Sequence, residues 1–219
     1  MSLPTYLELV NDVLVRMREP EVTSVSENTL SKLVGKLVND SKRQVEDAYK
    51  WNALLTDIQI PTVAGTAQYT VTGSGNRFKV SEIHNVTKLI ELDNVPLKVY
   101  NNWEGSTTTP PTGIPSYYCF YGQDSNGDAK VKLWPVPDAV YTINYQLYVP
   151  TSDLSSNSDT ISVPKEPVVL GAFARALVER GEDGGLSSSE AYALYRTSLS
   201  DHIAVEASRY FEDMNWEAT

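Results

Sequence analysis

The feature that most constrains the fold of this chain is a change in the spacing of its apolar residues. Near both ends, apolar side chains recur every three to four residues, which is typical of amphipathic helices. Between about Thr56 and Val163 they alternate with polar side chains, which is typical of half-buried β-strands. This order predicts an α+β protein in which a β region is inserted between terminal helices.

The first predicted helix runs from about Thr5 to Arg18. Thr5 and Glu8 have the spacing of a capping box, in which the hydroxyl and the carboxylate each accept a hydrogen bond from a backbone amide. We expect Pro20 to end this helix, because proline cannot continue the backbone hydrogen bonding. Its apolar stripe comprises Leu7, Val10, Leu14 and Met17.

The second predicted helix runs from about Thr29 to Asn52. Its apolar side is formed by Leu30, Leu33, Leu37, Val45, Ala48 and Tyr49. Its charged side is formed by Lys36, Asp40, Lys42, Arg43, Glu46 and Asp47. Gly35 lies inside the helix, where glycine costs about 1 kcal/mol relative to alanine, so we expect close packing at that position.

Six to eight short antiparallel strands are predicted between the helical parts, arranged as a small sandwich or barrel. The clearest strand has five apolar residues on one face, namely Tyr141, Ile143, Tyr145, Leu147 and Val149. Asp124, Asn126 and Asp128 have the opening spacing of a calcium loop, but Ala129 and Pro135 occupy positions that such a loop needs for glycine and glutamate. We therefore interpret 124–128 as a hairpin turn.

Two further helices are predicted after Pro164. The first ends at Gly181, a residue favoured after the last helical turn. After a loop, Ser187 and Glu190 form a second capping box, and the last helix runs to about Phe211. Its apolar stripe comprises Ala191, Leu194, Tyr195, Leu199 and Ile203. We expect the terminal helices to form one bundle, with 1–55 and 164–219 as its parts and 56–163 as the inserted β region.

Acidic residues outnumber basic ones, with 28 Asp and Glu against 18 Lys and Arg and a formal net charge of −10. Proteins hold nucleic acid nonspecifically through Lys and Arg, so this composition argues against a DNA-binding role. It suits a soluble surface, or a channel wall past which DNA slides without specific binding. With a single cysteine and no basic N-terminal region, we expect no disulfide framework, no signal peptide and assembly in a reducing cytoplasm. We also expect no membrane span.

No set of residues has the spacing that catalysis or metal binding requires. His84 and His202 each lack a partner at metal-ligand spacing, so both are interpreted as structural. Cys119 lies among aromatic residues and is interpreted as a small buried apolar side chain. The sequence therefore predicts a protein that is not an enzyme and that has no cofactor or metal.

Three stretches of the chain, taken in order, form a pattern that covers nearly its whole length. They are Leu7–Leu14 followed by Arg18–Val22, Leu37–Val45 leading to Trp51 and Asn52, and Lys132–Asp138 leading into Tyr141–Val149. The junction of Val163 and Pro164 then opens a helix that contains Gly171 and Ala172. This ordered pattern resembles the head–tail adaptor family of short-tailed bacteriophages, the tail tubular protein A-like subunits.

The resemblance implies a structural virion subunit at the head–tail junction. It implies a ring of copies, commonly a dodecamer, that lies below the portal protein, extends the DNA channel and receives the tail nozzle or other neck proteins. A peptidoglycan-hydrolase activity is attributed to some members, but no residues here match such a site. Two alternatives stay open: another phage neck or tail-tube component, or a cell-wall or carbohydrate-active protein.

Three aromatic residues at the end of the chain are the candidate portal-docking site, namely Tyr210, Phe211 and Trp216. Exposed aromatic side chains cost solvation free energy in a free subunit, and aromatic residues dominate the binding energy of protein interfaces. Nearby acidic residues would keep the free segment soluble and could meet basic portal residues. The alternative is that Tyr210 and Phe211 complete the subunit's own core.

Overall fold

The computed structural model describes residues 3–181 and 188–209, and this part of the chain divides into two compact units. The helical unit combines Met1–Ala53 with Pro150–Thr219, and the β unit is Leu54–Val149. The chain is therefore an α+β protein, as its periodicity predicts. The predicted loop 182–186 and Ser187 of the second predicted capping box lie outside the described residues.

Four helices build the described part of the helical unit, and they come from both ends of the chain. Their bounds are α1, Tyr6–Arg16; α2, Thr29–Ala48; α4, Lys165–Arg180; and α5, Ser188–Arg209. The predicted Thr5–Glu8 capping box is present, with the Glu8 amide donating to the Thr5 hydroxyl and the Thr5 amide donating to the Glu8 carboxylate. Helix α4 packs against α1, α2 and α5, which confirms the predicted bundle of N- and C-terminal helices.

Helix α1 ends before Pro20, because Arg18 turns the chain with a left-handed φ of 59°. The Arg18 amide donates to the Val15 carbonyl and the Glu19 amide donates to the Leu14 carbonyl, at 3.0 and 2.9 Å. These two bonds are those of a Schellman motif, which satisfies carbonyls that the last helical turn leaves open. The predicted end at Arg18 is therefore corrected to Arg16, and α2 likewise ends at Ala48 rather than Asn52.

The segment 150–163, which the sequence pattern assigned to the β region, belongs to the helical unit. Polar side chains on α2 form hydrogen bonds with the backbone of the segment 150–163. The Asn39 side-chain amide donates to the Leu154 carbonyl at 3.0 Å, and the Leu154 amide donates to the Asn39 side-chain oxygen at 2.8 Å. Lys42 also donates to the backbone of this segment. The segment forms no named strand, and its one strand-like pairing is an isolated antiparallel bridge between Thr160 and Thr5.

The β unit contains ten strands and one helix, and six of the strands are longer than two residues. In chain order they are β1, Leu55–Pro61; β2, Gln68–Val71; β3, Lys79–Asn85; β4, Ile90–Glu91; β5, Asp93–Asn94; α3, Leu97–Ser106; β6, Thr112–Gly113; β7, Tyr117–Gln123; β8, Ala129–Trp134; β9, Val136–Pro137; and β10, Thr142–Tyr148. They form the sheets β1-β10-β3-β4 and β2-β8-β7-β5, with a small β6-β9 pair. The pairs β5-β7 and β6-β9 are parallel, so the predicted antiparallel region is in fact mixed.

The two larger sheets of the β unit share one apolar core, as in a sandwich. Strand β10 lies in the centre of its sheet, with Tyr145 opposite Ile58 of β1 and Ile83 of β3. Four residues of the predicted β10 stripe are buried, and Val149 is half-buried. Val131 and Leu133 of β8 contribute from the other sheet. The central β-strand prediction is therefore confirmed.

Helix α3 was not predicted from the sequence. It contacts β7, and Tyr100 is its one buried residue. The Tyr100 hydroxyl donates to the Leu133 carbonyl at 3.4 Å, and burial raises the pKa of Tyr100 to about 12. A helix with a single anchoring side chain produces little periodicity in the sequence, which explains why the pattern missed it.

Candidate interaction surfaces of the helical unit

Helix α5 exposes several large apolar side chains. Ala191 and Tyr195 are the only buried residues of this described helix. Tyr192, Leu194 and Val205 are 45, 50 and 52% exposed. Leu194 and Val205 are eleven residues apart, which places them on the same side of the helix three turns from each other. The prediction that Leu194 belongs to the core stripe is wrong, because α5 packs against α4 through a narrower contact around Tyr195.

The end of α5 borders a groove of about 340 Å³. Its lining residues are Trp51, Asn52, Ala53, Ser162, Val163, Pro164, Glu206 and Arg209. The Asn52 backbone amide donates to the Glu206 carboxylate at 2.9 Å, so this contact fixes the last described turns of α5. The candidate docking residues Tyr210, Phe211 and Trp216 come after Arg209 in the sequence and lie outside the described residues.

A second, more open cleft of about 510 Å³ lies between α1 and the start of α4. The Lys165 ammonium and the Asp12 carboxylate are 2.5 Å apart across it. Val15 reaches this cleft and is 53% exposed. The remaining lining residues are Arg16, Glu21, Glu166 and Val169. Three carboxylates and two cations thus surround the apolar side chains of Val15 and Val169. This arrangement suits a polar contact with another protein.

Lys42 and Glu46, which the sequence pattern assigns to the charged side of α2, do not face solvent. Both side chains are buried, and the Lys42 ammonium lies 3.1 Å from the Glu46 carboxylate. Lys42 also donates to the carbonyls of Thr151 and Ser152, at 3.0 and 2.9 Å. The Thr151 hydroxyl donates to the same Glu46 oxygen at 2.8 Å. The pair therefore holds the segment that returns from the β unit onto α2.

The two histidines and the cysteine are held in local structural contacts. His84 Nδ1 lies 3.1 Å from the Glu82 carboxylate on β3, and His202 Nδ1 lies 2.8 Å from the Ser198 carbonyl one turn earlier on α5. Cys119 is buried, and burial raises the pKa of its thiol, which disfavours the nucleophilic thiolate. Within the described residues, no three Asp, Glu, His or Cys side chains are grouped so that they could hold a metal ion.

The acidic turn at 124–128 joins β7 to β8, as predicted. The Asp124 carboxylate accepts hydrogen bonds from the backbone amides of Asn126 and Asp128, at 2.8 and 2.9 Å. The Asp128 carboxylate points the other way and accepts from the amides of Gly73 and Gly75, each at 3.0 Å. These carboxylates therefore close the hairpin and fasten the neighbouring loop.

None of the helices in the described part of the chain is long and apolar enough to cross a membrane. Comparison with curated proteins gives no match. Among protein families, the model described as SU10 adaptor protein matches residues 4–215, which is nearly the whole chain.

Proposed function

Because this chain belongs to the SU10 adaptor protein family, it is a structural phage adaptor of the head–tail junction, and we propose that its copies form a ring below the portal. The match over residues 4–215 carries this proposal, since it spans both units. In this proposal the ring extends the DNA channel and receives the tail nozzle or other neck proteins. The copies assemble in the cytoplasm of the bacterial host, and the subunit performs no catalysis.

We propose that the end of α5 and the residues after it engage the portal. Leu194 and Val205 expose apolar surface along this helix, and Tyr210, Phe211 and Trp216 follow its last described residue, Arg209, in the sequence. Exposed apolar side chains of this size favour a protein partner. The aromatic side chains would supply most of the binding free energy.

Truncation of the chain after Ser208 tests this docking proposal. The truncated protein keeps the Glu206 contact with Asn52, so we expect it to fold. We expect its binding to purified portal to weaken by at least about tenfold, as for loss of an aromatic hot spot. Circular dichroism checks folding, and a pull-down with portal checks binding. A well-folded truncation that binds portal as the full chain does would remove the proposal.

We further propose that part of the acidic excess lines the lumen of the ring. Packaged DNA must leave quickly, and Lys or Arg on the channel wall would retain phosphate groups. The net charge of −10 per copy supports a wall that repels DNA. An electron-microscopy map of the assembled ring tests this. Lys and Arg as the main lumen-facing residues would contradict it.

A further inference from the structure

An asparagine followed by a glycine lies at the tip of the β7–β8 hairpin. Asn126 and Gly127 are the one such pair in the sequence. Asn126 is exposed, and its side-chain amide has no hydrogen-bond partner within the described part of the chain. Asparagine is a chemically labile residue, because the backbone nitrogen of the next residue can attack its carboxamide. Glycine hinders that attack least, because it has no Cβ.

The turn restrains the attacking nitrogen only weakly. The Gly127 amide donates to the Asp124 carbonyl at 3.2 Å, whereas the Asn126 and Asp128 amides donate to the Asp124 carboxylate at 2.8 and 2.9 Å. Gly127 has a φ of 87°, which a residue without a side chain adopts without strain. Attack by its nitrogen therefore requires the loss of one long hydrogen bond at a loop tip, where local opening costs little free energy.

We propose that Asn126 is a site of spontaneous deamidation in the folded protein, with water as the only co-reactant. The Gly127 nitrogen forms a bond to Cγ of Asn126, and the bond from Cγ to the side-chain nitrogen breaks. That nitrogen leaves as ammonia with the proton from Gly127, and a cyclic imide remains. Water then opens the imide and returns a proton to the Gly127 nitrogen. Opening at Cγ gives aspartate, and opening at the backbone carbonyl carbon gives isoaspartate.

Isoaspartate alters the contacts that close the hairpin. Its chain continues through the side-chain carbon, which adds one methylene group to the backbone between the amides of residue 126 and Asp128. Both amides donate to the same oxygen of Asp124, so the longer backbone moves one of them out of reach. The Asp128 carboxylate also accepts from the amides of Gly73 and Gly75, each at 3.0 Å, so the change extends to the neighbouring loop.

Both products also carry a charge that asparagine lacks. The new carboxylate adds one negative charge to the net charge of −10 and lies in the same turn as Asp124 and Asp128. Like charges repel, so even the normal aspartate weakens the hairpin. We therefore expect the melting temperature to fall as the chain ages, and to fall further for the isoaspartate form than for the aspartate form.

The test stores the folded full-length chain at mildly alkaline pH, where the Gly127 nitrogen loses its proton more easily, and follows its peptides by mass spectrometry. We expect the peptide with Asn126 to gain the mass that separates a carboxyl group from a carboxamide. We also expect it to split into aspartate and isoaspartate forms on chromatography. Asn76 is the internal control, because it is exposed too but precedes Arg77, whose Cβ hinders the same attack. The peptide with Asn76 should stay unmodified over the same period.

Two variants separate the chemistry from the fold. Asn126→Gln keeps a carboxamide on a longer side chain that closes a ring less readily, so we expect the modification of this peptide to be lost. Asn126→Asp has the charge of the product on an unaltered backbone. We expect its melting temperature to lie between those of the fresh and the fully aged wild type.

Three outcomes would overturn the inference. Asn126 could stay intact in the folded chain and react only in guanidinium chloride, which would show that the turn protects it. Asn76 or another asparagine could react first. The Asn126→Gln variant could gain the same mass in the same peptide, which would assign the reaction to a different residue.

Discussion

At the scale of single residues, the buried pair of Lys42 and Glu46 is the main departure from a simple amphipathic pattern. Burying two charges costs several kcal/mol per ion, and mutual attraction offsets this only with additional hydrogen bonds. Thr151 and Ser152 supply those bonds here. Removal of one partner leaves the other charge buried and uncompensated.

We therefore expect Lys42→Met to lower the free energy of unfolding by about 3–5 kcal/mol. The double variant Lys42→Met/Glu46→Leu should lose less than the single one, because it leaves no uncompensated charge. Lys36→Met, at an exposed position of the same helix, should change stability by at most about 0.5 kcal/mol. Urea denaturation measures all three. Equal stability of the Lys42→Met and Lys36→Met variants would show that the Lys42–Glu46 pair does not contribute to the free energy of unfolding.

At the scale of elements, glycine has opposite roles in two helices. A Cβ at Gly35 of α2 would lie 2.4 Å from the Tyr6 hydroxyl and 2.8 Å from a Val25 methyl group, which confirms the predicted close packing. A Cβ at Gly105 of α3 would have no neighbour within 4 Å. The same substitution is therefore expected to act in opposite directions at the two positions.

Gly35→Ala should lower the free energy of unfolding by about 1–3 kcal/mol, because the added methyl group overpacks the contact between α1 and α2. Gly105→Ala should raise it by up to about 1 kcal/mol, the difference in helix propensity. Thermal unfolding followed by circular dichroism shows whether each variant is less or more stable than the wild type. A gain in stability at Gly35 would mean that α1 is not held closely against α2.

The elements that the sequence predicts correctly are those with local signals. The Thr5–Glu8 capping box, the left-handed Gly181 after α4 and the turn at 124–128 each depend on residues within a few positions of one another. The buried state of Lys42 depends instead on a carbonyl 109 residues later, which periodicity cannot reveal. The exposure of Leu194 likewise depends on how narrow the contact with α4 is. Of the predicted docking site, only the helix that leads to it lies among the described residues.

At the scale of the whole molecule, the family match makes the chain a structural phage adaptor, and that it is not an enzyme stays a prediction from the sequence. We expect the purified chain to release no soluble fragments from peptidoglycan. A dye-release assay measures this, with a lysozyme as positive control. Robust hydrolysis that one carboxylate substitution abolishes would contradict a purely structural role.

The central claim is that copies of this chain form a closed ring on the portal. The most direct measurement is the mass of the full chain by light scattering, alone and after mixing with purified portal. The account predicts a complex whose mass corresponds to the portal plus a fixed number of copies, the same at every excess of the chain. A chain that leaves the mass of the portal unchanged, or adds copies without reaching a fixed number, would contradict it.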